Sequence, residues 1–451
     1  MSTVSQLGKL GLFDARVPRY TSYPTAPHFS PATTPAQVRG WMSSVSPQER
    51  ISLYIHVPFC RRLCWFCACR TQGTATLSPV ETYVQTLKRE IAMVRDALPA
   101  GVALEHLHWG GGTPTLLPAD SISDLAATVF EALPLAEGAQ FSVEIDPNEI
   151  DAPRLQALEA AGLNRASIGV QDFDEEIQAT IGRKQGYEIT ARAIDGLRKA
   201  GIGSLNMDIL YGLPHQSREK IAASVRKVIA LGPDRVALYG YAHVPWMAKR
   251  QSMIPTDVLP TPQERLALFE TARELFLDAG YEEIGIDHFA RPEDGLARAR
   301  QNGTLRRNFQ GYTEDTSTTL IGIGASAISR YRQGYAQNAA ATSAYQAAIR
   351  DESLATARGH RFSPDDIIRG RLIEALLCDF ELRHASLAAE LGVAASRLRE
   401  MTAALPAAFP GMLEDRPERL RILPHARPLA RMIARELDSY DMSQSRHSHA
   451  V

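Results

Sequence analysis

Ile51-Ser52-Leu53-Tyr54-Ile55-His56-Val57-Pro58-Phe59-Cys60 runs directly into Arg61-Arg62-Leu63-Cys64-Trp65-Phe66-Cys67. In the first part Ile51, Leu53, Ile55 and Val57 alternate with Ser52, Tyr54 and His56, the period of a half-buried strand. The second part is C-x3-C-x2-C, which puts three of the chain's five cysteines within eight residues of loop. Soft thiolates spaced so closely converge on a metal. An iron-sulfur cube has four irons and normally takes four thiolates, so three protein ligands leave one iron open for chemistry. Cys69 adds a fourth nearby thiol and keeps a tetrahedral zinc site as an alternative, although structural zinc usually draws two separated ligand pairs. Disulfides are disfavoured, because Met1–Leu12 does not read as a secretory leader. Cys378, inside the apolar run Leu372–Leu382, reads as a buried small hydrophobe.

Outward from this strand the chain alternates strand and helix. Val80, Tyr83, Val84, Leu87, Ile91 and Val94 recur at helical spacing. Further strands are predicted at Leu104–Trp109, Phe141–Asp146, Ala166–Gln171, Leu205–Leu210 and Val236–Tyr241, with a seventh at Glu282–His288. Most strand ends fall about 25 to 40 residues apart, the length of a right-handed crossover. The class is therefore α/β, a doubly wound sheet or a partial barrel, with ligands at the C-terminal strand ends. Residues 1–45 are Pro-, Ser- and Thr-rich, too polar to form a core, and read as an extended arm with a short helix near Pro35–Met42, a lid that covers the open mouth of the α/β domain with Tyr20 and Tyr23 excluding water. Residues 46–360 form the α/β domain and its extension, 361–442 a small helical domain with a short strand at Arg419–Leu423, and 443–451 a polar, disordered tail.

The 451 residues exceed one ordinary core. A composition 45% hydrophobic and 22% charged is that of a globular protein, and no 18-residue apolar run marks a membrane span. A net charge of −2 argues against a nucleic-acid partner, even though only seven of the 49 basic residues are lysine.

Trp109-Gly110-Gly111-Gly112-Thr113-Pro114 closes the second strand, and its glycines let a ligand approach the backbone. It lacks dinucleotide-fold spacing; alone it reads as a tight turn. Glu144 and Asp146 share the face opposite Phe141, Val143 and Ile145. Gln171 and Asp208 also sit near strand ends. Four polar strand ends around one opening favour a ligand site over satisfied structural polar groups.

The cysteine run resembles the radical S-adenosylmethionine (SAM) signature. Pro18–Thr25, Tyr54-x-His56-x-Pro58-Phe59-Cys60, the Cys67-x-Cys69 extension, His108–Thr115, Gly169–Phe173, Tyr211–Pro214, Asp287–Pro292 and Asn308–Tyr312 together resemble the oxygen-independent coproporphyrinogen III oxidase family, from about residue 14 to 340. The resemblance implies a partial (β/α)6 radical SAM barrel holding a 4Fe-4S cluster on Cys60, Cys64 and Cys67. It also implies two SAM molecules and oxidative decarboxylation of the ring A and B propionates of coproporphyrinogen III to vinyls. By motif, the first SAM is assigned to Tyr54, Gly111, Glu144 and Ile328. The second is assigned to Phe66, Gly112, Thr113, Gln171, Arg183, Asp208 and Ala242. Phe309, Gln310 and Cys69 match segments tied to activity.

Propionates call for cations, and Arg19, Arg291, Arg306 and Arg307 are the candidates. A reductant such as flavodoxin or ferredoxin, an unidentified electron acceptor, a monomeric state and a cytoplasmic location are expected. Where the family commonly has Cys-Gly-Cys-Asn, this chain has Cys67-Ala68-Cys69-Arg70. A related heme chaperone typically lacks both Tyr20-Thr21-Ser22-Tyr23-Pro24 and the fourth cysteine, which are present here. A heme-opening methyltransferase of the same branch is the other alternative, disfavoured by the same N-terminal segment.

Overall fold

The computed structural model describes residues 3–441 and 448–450. Six parallel strands lie side by side in chain order: β1 (Arg50–Val57), β2 (Ala103–Gly111), β3 (Leu135–Ile145), β4 (Arg165–Gln171), β5 (Ser204–Tyr211) and β6 (Arg235–Gly240). Helices α1 (Ser78–Ala97), α2 (Ala119–Ala132), α3 (Ala152–Ala160), α4 (Tyr187–Lys199) and α5 (Arg218–Leu231) make the crossovers, and α6 (Pro262–Asp278) follows β6. β1 and β6 are not paired with each other, so the six units form the expected partial barrel rather than a closed one.

The alternation predicted for β1 is what closes the core. Ile51, Leu53, Ile55 and Val57 are buried against the helices, which frees Ser52, Tyr54 and His56 for the inner face. Val80, Tyr83, Val84, Leu87, Ile91 and Val94 form the buried stripe of α1. Each such aliphatic side chain contributes about 1.5–3 kcal/mol by transfer from water, and Leu87→Ala would cost about 2–5 kcal/mol.

Three features depart from the sequence reading. The seventh strand is an antiparallel hairpin, Glu282–Ile284 with His288–Ala290, turned at Gly285 (φ +56°), and it lies against β6 antiparallel. On the other side Leu320–Ile323 pairs parallel with β1 and leads into three antiparallel strands, Ile328–Tyr331, Gly334–Asn338 and Thr356–Arg361. The arm does contribute a core: Leu7, Leu12, Phe13, Val17, Tyr20 and Tyr23 are buried together with Leu372, Leu376 and Ile433 of the C-terminal region. Tyr20 donates to Asp438 Oδ2 at 2.9 Å and the Tyr23 hydroxyl lies 3.1 Å from Ser439 Oγ. These two tyrosines therefore belong to that core and do not hang over the barrel mouth.

The C-terminal region is mainly helical, as expected, with helices at Pro364–Cys378, His384–Leu391, Ala395–Thr402 and Ala430–Arg435. It also carries a three-stranded sheet of Glu381–Arg383, Arg419–Ile422 and Leu413–Arg416. Ser363 caps its first helix in a capping box with Asp366, and the expected boundary at 360/361 falls inside the last sheet strand, Thr356–Arg361, just before that cap. Of the tail expected to be disordered, residues 443–447 and 451 lie outside the described residues. Residues 448–450 lie against the arm: Arg16 bridges His449, and the Ala450 N–H donates to the Ala15 carbonyl at 2.8 Å.

Candidate active site

Because the apolar faces of the strands are used against the helices, the polar faces converge inside. Ser52, His108, Glu144, Ser167, Asp208 and Tyr239 each come from a different strand and line one cavity of about 380 Å³. Buried polar groups are costly unless paired, and here they pair with one another. Asn206 Nδ2 donates to Asp208 Oδ1 at 2.8 Å, and Ser167 Oγ to Asp208 Oδ2 at 3.3 Å. Burial, reinforced by the charge of Glu144, pushes the Asp208 carboxyl up to about 6.

Cys60, Cys64, Cys67 and Cys69 line the same cavity at the C-terminal strand ends. The loop reaches them because backbones meet at van der Waals limits. The Gly112 N–H donates to the Val57 carbonyl at 2.7 Å and the Thr113 N–H to the Phe59 carbonyl at 2.8 Å. A Cβ on Gly112 would lie 2.5 Å from the Phe59 carbonyl oxygen; on Gly111, whose φ is +112°, it would lie 2.4 Å from the His56 ring. The triple glycine is thus required by close approach.

The donor set fits an iron-sulfur cube. Three half-buried thiols share a wall with Arg183, whose Nη1 is 3.5 Å from Cys64 Sγ, and with Arg250. A hydrogen bond from Cys69, opposed by burial and aided by Arg250 and Arg183, brings the Cys67 thiol down from its ordinary value. The same contact pushes Cys69 up, and burial pushes Cys60 up to about 11. Among the described residues no three His, Cys, Asp or Glu side chains close on a single-ion position; a cube bound through three separate irons needs no such common point. The Arg70 guanidinium donates to the Ala340 carbonyl at 2.9 Å, and its own carbonyl lies 3.0 Å from His56 Nε2.

Glu144 Oε2 accepts the Gly111 N–H at 2.9 Å, and Oε1 is 3.4 Å from His108 Nε2. Burial favours its neutral form, yet the His108 contact and the Gly111 N–H hold the carboxyl below its ordinary range. The Tyr54 ring stacks on His108 with centroids 5.7 Å apart, and its hydroxyl is 3.0 Å from His56 Nδ1. Tyr54, Gly111 and Glu144 are therefore one contact group. The Ile328 carbonyl crowds Gly322, the residue opposite Tyr54 in the neighbouring strand. Gln171 ends β4 at φ +70°, a left-handed conformation that costs a non-glycine residue energy. Arg183 donates to the Gly169 carbonyl at 2.8 Å and lies 3.7 Å from Asp146. Phe309 and Gln310, at the turn between Arg306–Asn308 and Gly311–Thr313, also face the cavity.

Sequence reading missed Gln251. It is fully buried and ties the two distant second-SAM candidates together, donating to the Phe66 carbonyl at 2.7 Å and the Ala242 carbonyl at 3.1 Å. It missed His106, His108, Arg165, Tyr239 and His288 as well; the alternation of His106 and His108 with Leu107 and Trp109 was the signal for the first two.

The four candidate propionate arginines do not gather in the barrel. Arg291 stacks on Tyr281 at 4.2 Å, and its N–H donates to the Asp234 carbonyl next to the start of β6, the end away from the cysteines. Arg306 pairs with Glu390 of the C-terminal region at 3.4 Å. Arg19 and Arg307 line a second cavity.

Residues 54–228 match the radical SAM superfamily. Over all 451 residues the chain is 61% identical to the oxygen-independent coproporphyrinogen III oxidase of Paracoccus denitrificans, covering 100% of both chains. It is 37% identical to the Escherichia coli enzyme of that name over 433 residues, covering 95% of this chain and 94% of the other. The solved structure of coproporphyrinogen III oxidase from Escherichia coli, described as a radical SAM enzyme, superposes with a TM-score of 0.89 at 35% identity, covering 95% of this chain and 100% of that one.

Proposed function

Because the chain belongs to the oxygen-independent coproporphyrinogen III oxidases of the radical SAM superfamily, we propose that its barrel cavity is where the ring A and B propionates of coproporphyrinogen III lose carbon dioxide and become vinyls. The protein is a radical SAM oxidoreductase using a 4Fe-4S cluster and SAM, and the product is protoporphyrinogen IX. When bound, cluster and SAM supply a 5'-deoxyadenosyl radical that takes one hydrogen from the propionate β-carbon, after which carbon dioxide and one electron leave.

The chain's own groups bind, orient and shield. Cys60, Cys64 and Cys67 hold the cluster. Glu144, fixed by Gly111 and His108, offers its carboxylate to ribose hydroxyls of the first SAM beside Tyr54 and Ile328. Phe66, Gly112, Thr113, Gln171, Arg183, Asp208 and Ala242 hold the second, with Gln251 setting the distance between Phe66 and Ala242. Phe309 and Gln310 close the cavity from the hairpin side, and Cys69 supports Cys67 without occupying an iron.

Exposed Arg61, Arg62 and Leu63 between the first two cysteines suit an acidic reductant such as a flavodoxin or ferredoxin; the final electron acceptor is a separate small molecule or protein. The enzyme acts as a monomer, and its thiolate-held cluster suits a reducing cytoplasm. Among the described residues no helix is long and apolar enough to cross a membrane.

The observation that carries the reading is the Glu144–Gly111 contact beside three clustered thiols. Anaerobic incubation of the iron-loaded protein with dithionite, SAM and coproporphyrinogen III should yield protoporphyrin IX fluorescence after oxidation. An iron-loaded protein that consumes SAM and leaves coproporphyrinogen III untouched would refute the assignment.

A further inference from the structure

The second cavity, of about 420 Å³, opens between the N-terminal arm, the end of β6, α6 and the C-terminal region. Its apolar wall comes from Leu7, Leu266, Phe269, Ile286 and Phe380. Its charge is one-sided, with six arginines facing three carboxylates. Arg273 and Arg427 share Glu283. The rest hold mainly backbone: Arg19 donates to the Gly240 carbonyl, Arg265 to the Tyr241 carbonyl and Arg431 to the carbonyls of His449 and Ala450.

Arg307 is 8% exposed, and its Nε and Nη1 make no hydrogen bond. The carboxylate beside it, Asp287, stays 3.7 Å from Nη1 and is engaged at 2.6 Å by His288. Burial, then the charge of Arg19, pushes Arg431 down to about 10. Crowded cations with low solvation gain most from an anion that brings several carboxylates. The barrel cavity offers less to such an anion, because its four arginines, Arg62, Arg165, Arg183 and Arg250, are matched by four carboxylates, Glu144, Asp146, Asp208 and Asp315, and Arg183 already faces Asp146. The cavities share a wall, since Asp287 lines one and its partner His288 the other.

We propose that this second cavity is a carboxylate-binding site that docks, outside the barrel, the propionates of the two tetrapyrrole rings that do not react. The identity of the ligand rests on the activity proposed above; the size lies within the range of small-molecule sites, and the apolar wall takes the pyrrole rings while Arg307, Arg19 and Arg431 take the carboxylates.

The test is equilibrium titration of the full chain with coproporphyrin III, without SAM or reductant, read by quenching of tryptophan fluorescence. Arg431→Gln and Arg307→Gln should each weaken binding by roughly tenfold or more. Arg431→Lys, which keeps the charge, should stay close to wild type, as should the surface control Arg50→Gln. The tetramethyl ester of the porphyrin, with rings intact and carboxylates masked, should bind wild type at least about tenfold more weakly. Circular dichroism checks each fold, and Arg19→Gln carries the comparison if Arg431→Gln unfolds. Wild-type affinity in the glutamine variants, equal affinity for the ester, or equal loss in a folded Arg431→Lys would overturn the proposal. Arginine-dependent porphyrin binding without vinyl formation would sink the proposed activity and keep the site. Vinyl formation with arginine-independent binding would do the reverse.

Discussion

Replacing Glu144 by alanine removes a carboxylate that accepts the Gly111 N–H at 2.9 Å and lies 3.4 Å from His108. If that carboxylate holds SAM ribose, the variant loses a charge-assisted hydrogen bond to the ligand and also leaves the Gly111 amide unpaired at the ligand's edge. A hydrogen bond to a charged group contributes about 1.5–3 kcal/mol, which at about 1.4 kcal/mol per decade is roughly a 10- to 150-fold rise in the SAM dissociation constant. Glu144→Gln keeps the shape and one acceptor for Gly111, so its loss should be smaller. Anaerobic equilibrium dialysis with labelled SAM measures both variants, and the visible absorption of the cluster reports whether the iron site is intact. The cysteines come from a different loop, so the spectrum should not change. An alanine variant that keeps its cluster and binds SAM as wild type does would refute the role of Glu144.

Asp208→Asn should raise the stability of the cofactor-free protein above pH 6. The folded carboxyl is raised to about 6 from 3.8, so the native state pays for ionisation as pH climbs through 6; the gain, at most about 3 kcal/mol, should fade towards pH 4. Melting temperatures of both proteins between pH 4 and 8 check this, and a gain independent of pH would contradict it. Cys60→Ser, Cys64→Ser or Cys67→Ser should each abolish bound iron, whereas Cys69→Ser should retain it and impair turnover; equal iron loss in all four would indicate a four-thiolate site. Deleting residues 1–30 strips six buried side chains from the C-terminal core. At about 2–5 kcal/mol for each large one, the loss matches or exceeds the stability of a typical domain, so limited proteolysis should cut the C-terminal region of the truncated protein; wild-type protease resistance would contradict it.

The barrel was legible because its strands are long and their two faces differ. Ile51 to Val57 and Phe141 to Asp146 announce both the buried face and the ligand face. The strands of residues 320–361 were not legible, being four to six residues long and broken by Gly322, Gly324, Gly334 and Gly359. The arm misled for a related reason. Leu7, Leu12, Phe13 and Val17 follow no helical or strand period, and their partners lie more than 300 residues away in the C-terminal region. In the site, residues carried by dense local motifs came together: the cysteines, Gly111, Gly112, Thr113 and Glu144. The arginines did not sort themselves, because what distinguishes Arg306 from Arg307 is a distant neighbour, Glu390 for one and Asp287 for the other. Gln251 had no motif; only its reach to two carbonyls marks it.

The central claim is that a radical formed beside the cysteine loop takes hydrogen from the propionate β-carbon. Mass spectrometry of 5'-deoxyadenosine from an anaerobic turnover with coproporphyrinogen III deuterated at the propionate β-carbons tests it directly. Deuterium should appear in 5'-deoxyadenosine in step with vinyl formation, and Cys64→Ser should give neither product. Vinyl product accompanied by unlabelled 5'-deoxyadenosine would contradict the account.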